Sequence, residues 1–470
     1  MKKHIITILV LVITFISCDN RLDTFPTSTV AAEEAFSKEG DFTNAVNGAY
    51  LRMLTGVYYD GTMQGLDVLS DNLLISREGR FSQQQRHDWL YEENSGGNFF
   101  SISAYAVIRN VNSVLLNIDK LDEGSFKNNI KAEALAIRAF AHFDVIKYYG
   151  EIPTQSASSN ASLAMPYITT SDINELPSRN LTIAEFYQKI VEDLTTSASL
   201  INSSNGVYQI GSDAVNGILA NVYLHMGNMP AAVTAANKVT TPVASIANFT
   251  GVWDDSTKDG VIFALRNDDV AGQGVGVAYN QTAGGIKDEY VPDFTFYELY
   301  KSTDIRKSAY FLTSDFEGNS YNHIIKYYSS VIATSLGNVD PKILRASEVM
   351  LIKAEALAAQ EGKDAEALVA LDAVRSQRYS DFVSGNEAGP ALVNAIQLER
   401  RLELAFEGSR FPDLKRKGLP VERSTFGHYS NGTGSPADFL TLPVGDYHFN
   451  LPISTRELNL NPNMVQSPGY

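Results

Sequence analysis

Residues Lys127 to Tyr149 constrain the fold more than any other stretch of the chain. Leu135, Ala139, Phe143 and Ile146 recur at helical spacing on one face, and Ala136 and Phe140 widen that face. So broad an apolar stripe has to be covered by other helices. Gly150 ends the helix, and Glu151-Ile152-Pro153 turns the chain away. The same pattern predicts helices over Phe42–Leu54, Phe99–Leu121, Thr182–Ile201 and Ser212–Met226, with a short one starting at Pro230. In the Ser212 helix, Val215, Ile218, Val222 and Met226 share a face. Three more are expected at Arg345–Gln360, Asp364–Arg378 and Ala391–Glu407, the last with Ala395, Leu398, Leu402 and Ala405 inward and Gly408 as a left-handed stop. Many of these faces carry alanine, which lets helix axes approach closely. The helices come in pairs joined by short links, which points to tetratricopeptide-like stacking. The strict repeat signature is absent, so an irregular helical domain is the alternative.

The intervals read differently. Residues Gly56 to Asn98 mix Gly, Asp, Arg and aromatics without a steady period, which predicts long loops and short pieces. From Thr241 to Asp340 the helical signal fades again. Val261 to Leu265 reads as a buried strand there, with Trp253 packing near its start, and Ala271 to Gly285 reads as a Gly-rich loop. The tail, Leu442 to Tyr470, is expected to run over the body as extended, irregular chain. Long loops on a compact body are where binding residues concentrate.

The N-terminus places the body. Lys2 and Lys3 precede the apolar run Ile5 to Ile13, which closes on Phe15-Ile16-Ser17-Cys18. The run is too short to span a bilayer, which takes roughly 20 residues, and its layout is that of a secretory signal. Cys18 is the only cysteine, so it has no internal disulfide partner. The segment resembles a bacterial lipoprotein signal, with Phe15 where an aliphatic residue is usual; an ordinary signal peptide is the alternative. Cleavage before Cys18 and acylation of its sulfur and new amine would tether the chain, each buried methylene adding about 0.8 kcal/mol. Net charge is −16, and removal of Lys2 and Lys3 takes the mature body to −18. An acidic body repels phosphate backbones, which argues against nucleic acid as a partner.

Several stretches in order resemble the SusD/RagB family of nutrient-binding outer-membrane lipoproteins of Bacteroidota. They are Leu22-Asp23-x-x-Pro26; Arg138 to Asp144 running into Tyr149-Gly150-Glu151-Ile152-Pro153; Leu344 to Val349 with Ala354-Glu355-Ala356; Glu399 to Gly408 followed by Arg410-Phe411 and Asp413-Leu414; and Leu451-Pro452-Ile453, Asn461-Pro462-Asn463 and Pro468-Gly469-Tyr470. Pro412, Ser454 and Ser467 depart from the family pattern. The resemblance implies a mostly α, SusD-like α/α fold built of tetratricopeptide-like helix pairs with a loop-rich irregular segment. It divides the chain into a signal peptide (1–17), a lipidated leash (18–40), an N-terminal helical-repeat region (41–240) and a C-terminal RagB/SusD region (241–470). It also implies a surface lipoprotein facing the cell exterior. Such a protein captures an oligosaccharide and passes it to a SusC-like TonB-dependent transporter, without catalysis and without a cofactor. Peptide capture by a RagB-like relative is the alternative, and a secreted carbohydrate-active enzyme is a more distant one.

Known catalytic patterns are missing from the sequence: there is no His-Glu-x-x-His zinc motif, no Gly-x-Ser-x-Gly elbow and no phosphate-loop lysine. His142 and Asp144 lie two apart on a helix and face different ways, a poor metal pair. Gly272-x-Gly274-x-Gly276 lacks the flanking strand and helix of a dinucleotide site. Asp254-Asp255 and Asp268-Asp269 read as solvated loop charges. Glu399, Arg400, Arg401, Glu403 and Glu407 stand one turn apart and read as structural ion pairs fastening their helix to the tail and to neighbouring repeats. Sugar binding needs aromatic faces for the pyranose ring and Asp or Arg for its hydroxyls. The candidates are Asp71, Arg77, Arg86, Trp89 and Tyr91 in the first loop region, and Tyr290 and Tyr297 beside the Gly-rich loop, within a cluster that includes Tyr279, Phe294 and Phe296. Trp89 stands among polar residues, where a packing anchor is the competing role.

Overall fold

A computed structural model describes residues 35–54, 59–95, 100–267, 274–282, 285–328 and 337–470. Cys18, the signal, the leash as far as residue 34, Asp268-Asp269 and Gly272 lie outside the described residues.

The expected helices are present to within a few residues of their bounds: Glu39–Leu54, Phe100–Asn117, Ser125–Tyr149, Ile183–Leu200, Ser212–His225, Met229–Ala236, Ala346–Ala358, Asp364–Arg375 and Gly389–Glu403. Their starts follow local chemistry. Thr182 and Glu185 form a reciprocal capping box, Glu185 N–H donating to Thr182 Oγ1 at 3.2 Å and Thr182 N–H to Glu185 Oε2 at 2.8 Å. Asn228 caps the helix that Pro230 opens, and Pro390 sits in the first turn of the Gly389 helix. Ser125–Tyr149 is buried on nearly all sides, because Phe100–Asn117 and Ile183–Leu200 flank it. Gly217 is one price of such packing: a Cβ there would stand 2.6 Å from Leu344 Cδ2.

Ala346–Ala358, Asp364–Arg375 and Gly389–Glu403 close a second, smaller core around Leu351, Leu371, Val374, Leu392 and Ile396. In the last expected helix Leu402 and Ala405 are buried and Ala395 packs on the second core as predicted, but Leu398 is not inward. Leu398 is 42% exposed, while Glu399, Arg400 and Glu403 face inward. Buried ion pairs share the inner face, so the apolar pattern alone misplaced Leu398. The helix also stops at Glu403, short of Glu407. Phe406 takes φ +63° and Gly408 φ +72°, and Gly408 N–H donates to the buried Asp67 Oδ2 at 3.0 Å.

The described strands form five two-stranded antiparallel sheets. Val261–Ala264 is the expected buried strand and pairs with Lys342–Arg345. Phe311–Phe316 and Asn319–Ile324 form a hairpin over Glu317-Gly318, both at positive φ as a tight primed turn needs. The first loop region holds the short pieces expected between its loops. It contains a helix at Tyr59–Val68, a helical turn at Gln84–His87 and a strand at Leu73–Ile75 pairing with Tyr290–Pro292. The tail crosses the N-terminal helices, with Leu451 N–H donating to Tyr148 O at 2.8 Å and Arg179 donating to Val465 O at 2.8 Å. One short helix, Thr455–Leu460, interrupts it.

Candidate functional site

Four of the seven expected ligand contacts sit inside the body. Trp89 is buried at φ +53°; its Nε1–H donates to Leu69 O at 3.1 Å, and the Arg423 guanidinium lies 4.0 Å from its ring centroid. Tyr91 donates to His448 O and Tyr290 to Ser82 O, both from buried rings. Asp71 accepts from Arg410 at 2.8 Å through each oxygen and forms an ion pair with Arg401 at 3.3 Å. Burial raises its carboxyl, but Arg401 and Arg410 outweigh this and hold it below the usual range. These residues fasten the first loop region to the helices and the tail, and Trp89 plays the competing role of anchor. Trp253 is buried too, against Tyr310, Tyr327 and Lys326. Asp255 is held by Lys258 at 2.5 Å and Lys342 at 2.8 Å, so it is a paired charge and not a solvated one.

Arg77, Arg86 and Tyr297 remain half-buried. Arg86 donates to Gln83 Oε1 at 2.7 Å, and Tyr297 lies under Lys307 Nζ at 4.5 Å. Arg77 donates to Asp438 Oδ1 at 2.9 Å and stands 6.0 Å from the ring centroid of Phe81. Phe81 is 38% exposed at φ +58°. Next to it, the mostly exposed Arg80 donates to Glu289 Oε1 at 2.6 Å.

The partner of this segment is the loop 423–440, closed at its base by Val421–Glu422 pairing with Thr441–Leu442. Gly427 N–H to Gly432 O at 2.8 Å and Tyr429 N–H to Thr433 O at 3.0 Å hold its shape, and Tyr429 packs edge-on to Tyr321 of the hairpin. Phe426, 44% exposed, lies 5.0 Å from Phe294. The two loops are joined by the Arg77–Asp438 contact; Arg77 and the exposed Phe81 lie on one, and the exposed Phe426 lies on the other. Phe81 and Phe426 were missed from sequence, yet the signal was there: each stands among polar residues or glycine without an apolar period, the criterion that had selected Trp89.

One polar line has a suggestive order. Ser314 Oγ lies 2.7 Å from His323 Nε2, and His323 Nδ1 lies 2.9 Å from Asp288 Oδ2. Ser314 sits in the regular hairpin ladder opposite Tyr321, not on a sharp turn that presents a nucleophile beside free N–H groups. The line satisfies both nitrogens of a buried histidine and stitches Ile286–Asp288 to the hairpin. The ion pairs of the Glu399–Gly408 segment are likewise structural, and they reach to other elements. Glu403 accepts from Arg306 at 3.2 Å, Arg345 at 2.6 Å and Arg378 at 2.8 Å, all fully or almost fully buried.

Comparison with known proteins agrees with this architecture. SusD-like protein P2 of Formosa agariphila is 26% identical, with the alignment covering all of both chains. SusD-like protein P38 of the same organism is 23% identical over 86% of this chain and 89% of that one. Among solved structures, a SusD superfamily protein of Bacteroides thetaiotaomicron superposes with a TM-score of 0.80 at 23% identity, covering 92% of this chain and 100% of that one. A putative sugar binding protein of Bacteroides vulgatus does so with a TM-score of 0.78 at 25% identity, covering 92% and 98%. The family model described as starch-binding associating with outer membrane matches residues 22–224, and the SusD family model matches residues 278–470. Matched in both halves and sharing the SusD superfamily fold, the chain belongs to the SusD/RagB family.

Proposed function

We propose that the protein is a cell-surface lipoprotein that binds an oligosaccharide and delivers it to a SusC-like TonB-dependent transporter. Acylated Cys18 anchors it in the outer membrane with the body facing outward. The observation that carries the reading is the loop surface with Phe81, Arg77 and Phe426. Exposed rings cover the CH faces of a pyranose, and guanidinium forks meet adjacent hydroxyls. A binding surface built on loops held by a rigid body suits a capture protein. The family model's outer-membrane description and the putative sugar binding protein among the structural neighbours support the same reading. Of the residues expected from sequence, Arg77, Arg86 and Tyr297 remain candidate contacts, and Asp71, Trp89, Tyr91 and Tyr290 are buried and hold the first loop region to the body. Capture for transfer requires release, so micromolar affinity is expected, about −8 kcal/mol.

The test is calorimetry of the purified body against neutral oligosaccharides and against peptides. Binding of at least one oligosaccharide, weakened at least tenfold by Phe81→Ala with the melting temperature unchanged, supports the reading. Binding of peptides alone supports the RagB-like alternative, and turnover of an oligosaccharide by the pure chain overturns a purely capturing role. Mass spectrometry of the native protein reads the anchor: acyl mass on Cys18 is expected, and an unmodified thiol refutes it. Co-purification with a barrel transporter is the corresponding test of delivery.

A further inference from the structure

The backbone that carries Phe81 is strained, and distant parts of the chain hold the strain in place. Phe81 takes φ +58°, Gln83 φ +58° and Trp89 φ +53°, all left-handed and none of them glycine. An L side chain there crowds its Cβ against the following carbonyl oxygen. A bulky ring keeps such a conformation only where its surroundings over-determine it, and strain of this kind gathers at functional sites. Trp89 is a buried anchor, but the Phe81 ring is 38% exposed and packs into no core. Its conformation is therefore set by its neighbours in the chain.

Glu289 holds the residue before the ring. It is 3% exposed and links the strands Ile286–Asp288 and Tyr290–Pro292. Its N–H donates to Tyr279 O at 2.8 Å, and its carbonyl accepts from Ser76 N–H at 2.9 Å, so its own backbone is fixed on both sides. The carboxylate accepts the Arg80 backbone N–H through both oxygens, at 3.1 and 3.0 Å, and Arg80 Nε–H at 2.6 Å. The residue after the ring is held too: Tyr290 O–H donates to Ser82 O at 2.5 Å. Gln83 Nε2 then donates to Gln64 Oε1 at 2.8 Å. Gly79 lets the segment lie this close, because a Cβ there would stand 2.7 Å from Asp288 O and 3.0 Å from Glu289 Cα. A buried carboxylate is costly to desolvate, and charge-assisted bonds to a backbone N–H are strong. Here both are applied to the amide that immediately precedes an exposed, strained ring.

We infer that Glu289 is a positioning residue for ligand binding: its carboxylate fixes the backbone ahead of Phe81, so that the ring is set for a sugar face before the ligand arrives. The inference rests on the oligosaccharide reading above and adds to it a residue too buried to meet the ligand itself. A contact held in its bound arrangement raises affinity by removing the cost of ordering it on binding. The effect of Glu289 is therefore carried by the entropy of binding and passes through the Phe81 ring.

The test is a mutant cycle on the full-length body, read by calorimetry against malto-, cello-, laminari-, xylo- and mannohexaose. Glu289→Gln keeps the shape but turns an NH₂ donor toward the Arg80 donors. Gly79→Ala is the second variant: it lifts the segment from Asp288 O without touching the carboxylate, and as a change in an outer loop it leaves the body folded. Each is expected to weaken binding of a panel member about fivefold, through a less favourable binding entropy, and to speed hydrogen exchange at the Arg80 amide. In a Phe81→Ala background the same changes are expected to cost less than about twofold, because the ring they position is gone. Equal losses in both backgrounds would mean that Glu289 only holds the loop together, and the inference falls while the capture reading stands. Unchanged affinity despite faster exchange refutes it as well. The strain is read without ligand: Phe81→Gly should melt above Phe81→Ala, since glycine alone is free of the Cβ penalty at positive φ, and the reverse order overturns the premise. If no oligosaccharide binds wild type, the capture reading itself falls, and this inference with it.

Discussion

The protein uses guanidinium–carboxylate pairs in two opposite ways. Around Glu403, Arg306, Arg345, Arg378 and Lys326 face Asp304, Glu399, Glu403 and Glu407, deep in the body. Every arginine there is committed to protein acceptors. On the loop surface, Arg77 meets Asp438 with both side chains partly in water, and Arg80 lies mostly exposed beside Glu289. The same chemistry fixes shape where water is excluded and stays available to a ligand where it is not. The buried pairs are costly to desolvate and still more costly to break, while the exposed ones are individually worth little.

The largest expected effect comes from breaking the buried set. Glu403→Gln keeps the shape but leaves three arginines short of a negative charge. Removing one partner from a buried set of this kind costs about 3–5 kcal/mol. Chemical denaturation should show the midpoint falling accordingly, with oligosaccharide affinity unchanged in whatever fraction stays folded. A loss under about 1 kcal/mol would mean that the network is not holding the second core to the first.

Trp89→Ala sharpens the contrast from the other side. Its ring is covered and its N–H is spent on Leu69 O, so truncation opens a cavity and should cost about 3–4 kcal/mol without any ligand present. Stability within about 1 kcal/mol of wild type, coupled to lost binding, would move Trp89 from anchor to direct contact.

This pair of residues also shows what could be read before the structure. The helices were legible because apolar spacing reports burial directly, and their bounds fall within a few residues of those expected. Leu398 failed because the rule treats charge as a sign of exposure, and here Glu399, Arg400 and Glu403 are inside with partners from distant parts of the chain. Trp89 is buried for the related reason: a tryptophan among polar neighbours is at the surface only if those neighbours are. His87 and Asp88, just before it in the chain, are buried and paired with each other. The short helix Tyr59–Val68 has little periodic signal of its own and gains order from the turn it packs on, where Asp67 caps Gly408. Spatial pairing of this kind is not written in local sequence.

A pH scan of a His142 variant against wild type isolates one buried histidine of the body. His142 donates from Nδ1 to Arg138 O at 2.9 Å, accepts at Nε2 from Ile168 N–H at 3.0 Å, and stacks on Tyr167 at 3.9 Å. Burial pushes its pKa down to about 3. Between the unfolded value near 6.5 and that folded value, the unfolded chain binds the extra proton, so stability is present above about pH 6.5 and lost as pH falls. His142→Phe should be less stable at pH 7 but should show a flatter decline from pH 6.5 to 4, by up to about 1.4 kcal/mol per pH unit. Parallel declines would mean that His142 already titrates in the folded protein.

The smallest stability effect belongs to the loop surface, and there it is the informative one. Arg77 and Asp438 are 31% and 51% exposed in their side chains, so Arg77→Ala should change folding free energy by no more than about 0.5 kcal/mol. A guanidinium fork that meets two adjacent hydroxyls contributes in a way a point charge does not, so Arg77→Lys should lose most of what Arg77→Ala loses in oligosaccharide affinity, a few-fold in each case. Calorimetry and denaturation on the same samples separate the two quantities. Equal affinity for wild type and both variants would confine the binding surface to Phe81 and the Phe294–Phe426 pair. A stability loss above about 1.5 kcal/mol would instead place Arg77 with the buried arginines, because only a desolvated pair carries that much.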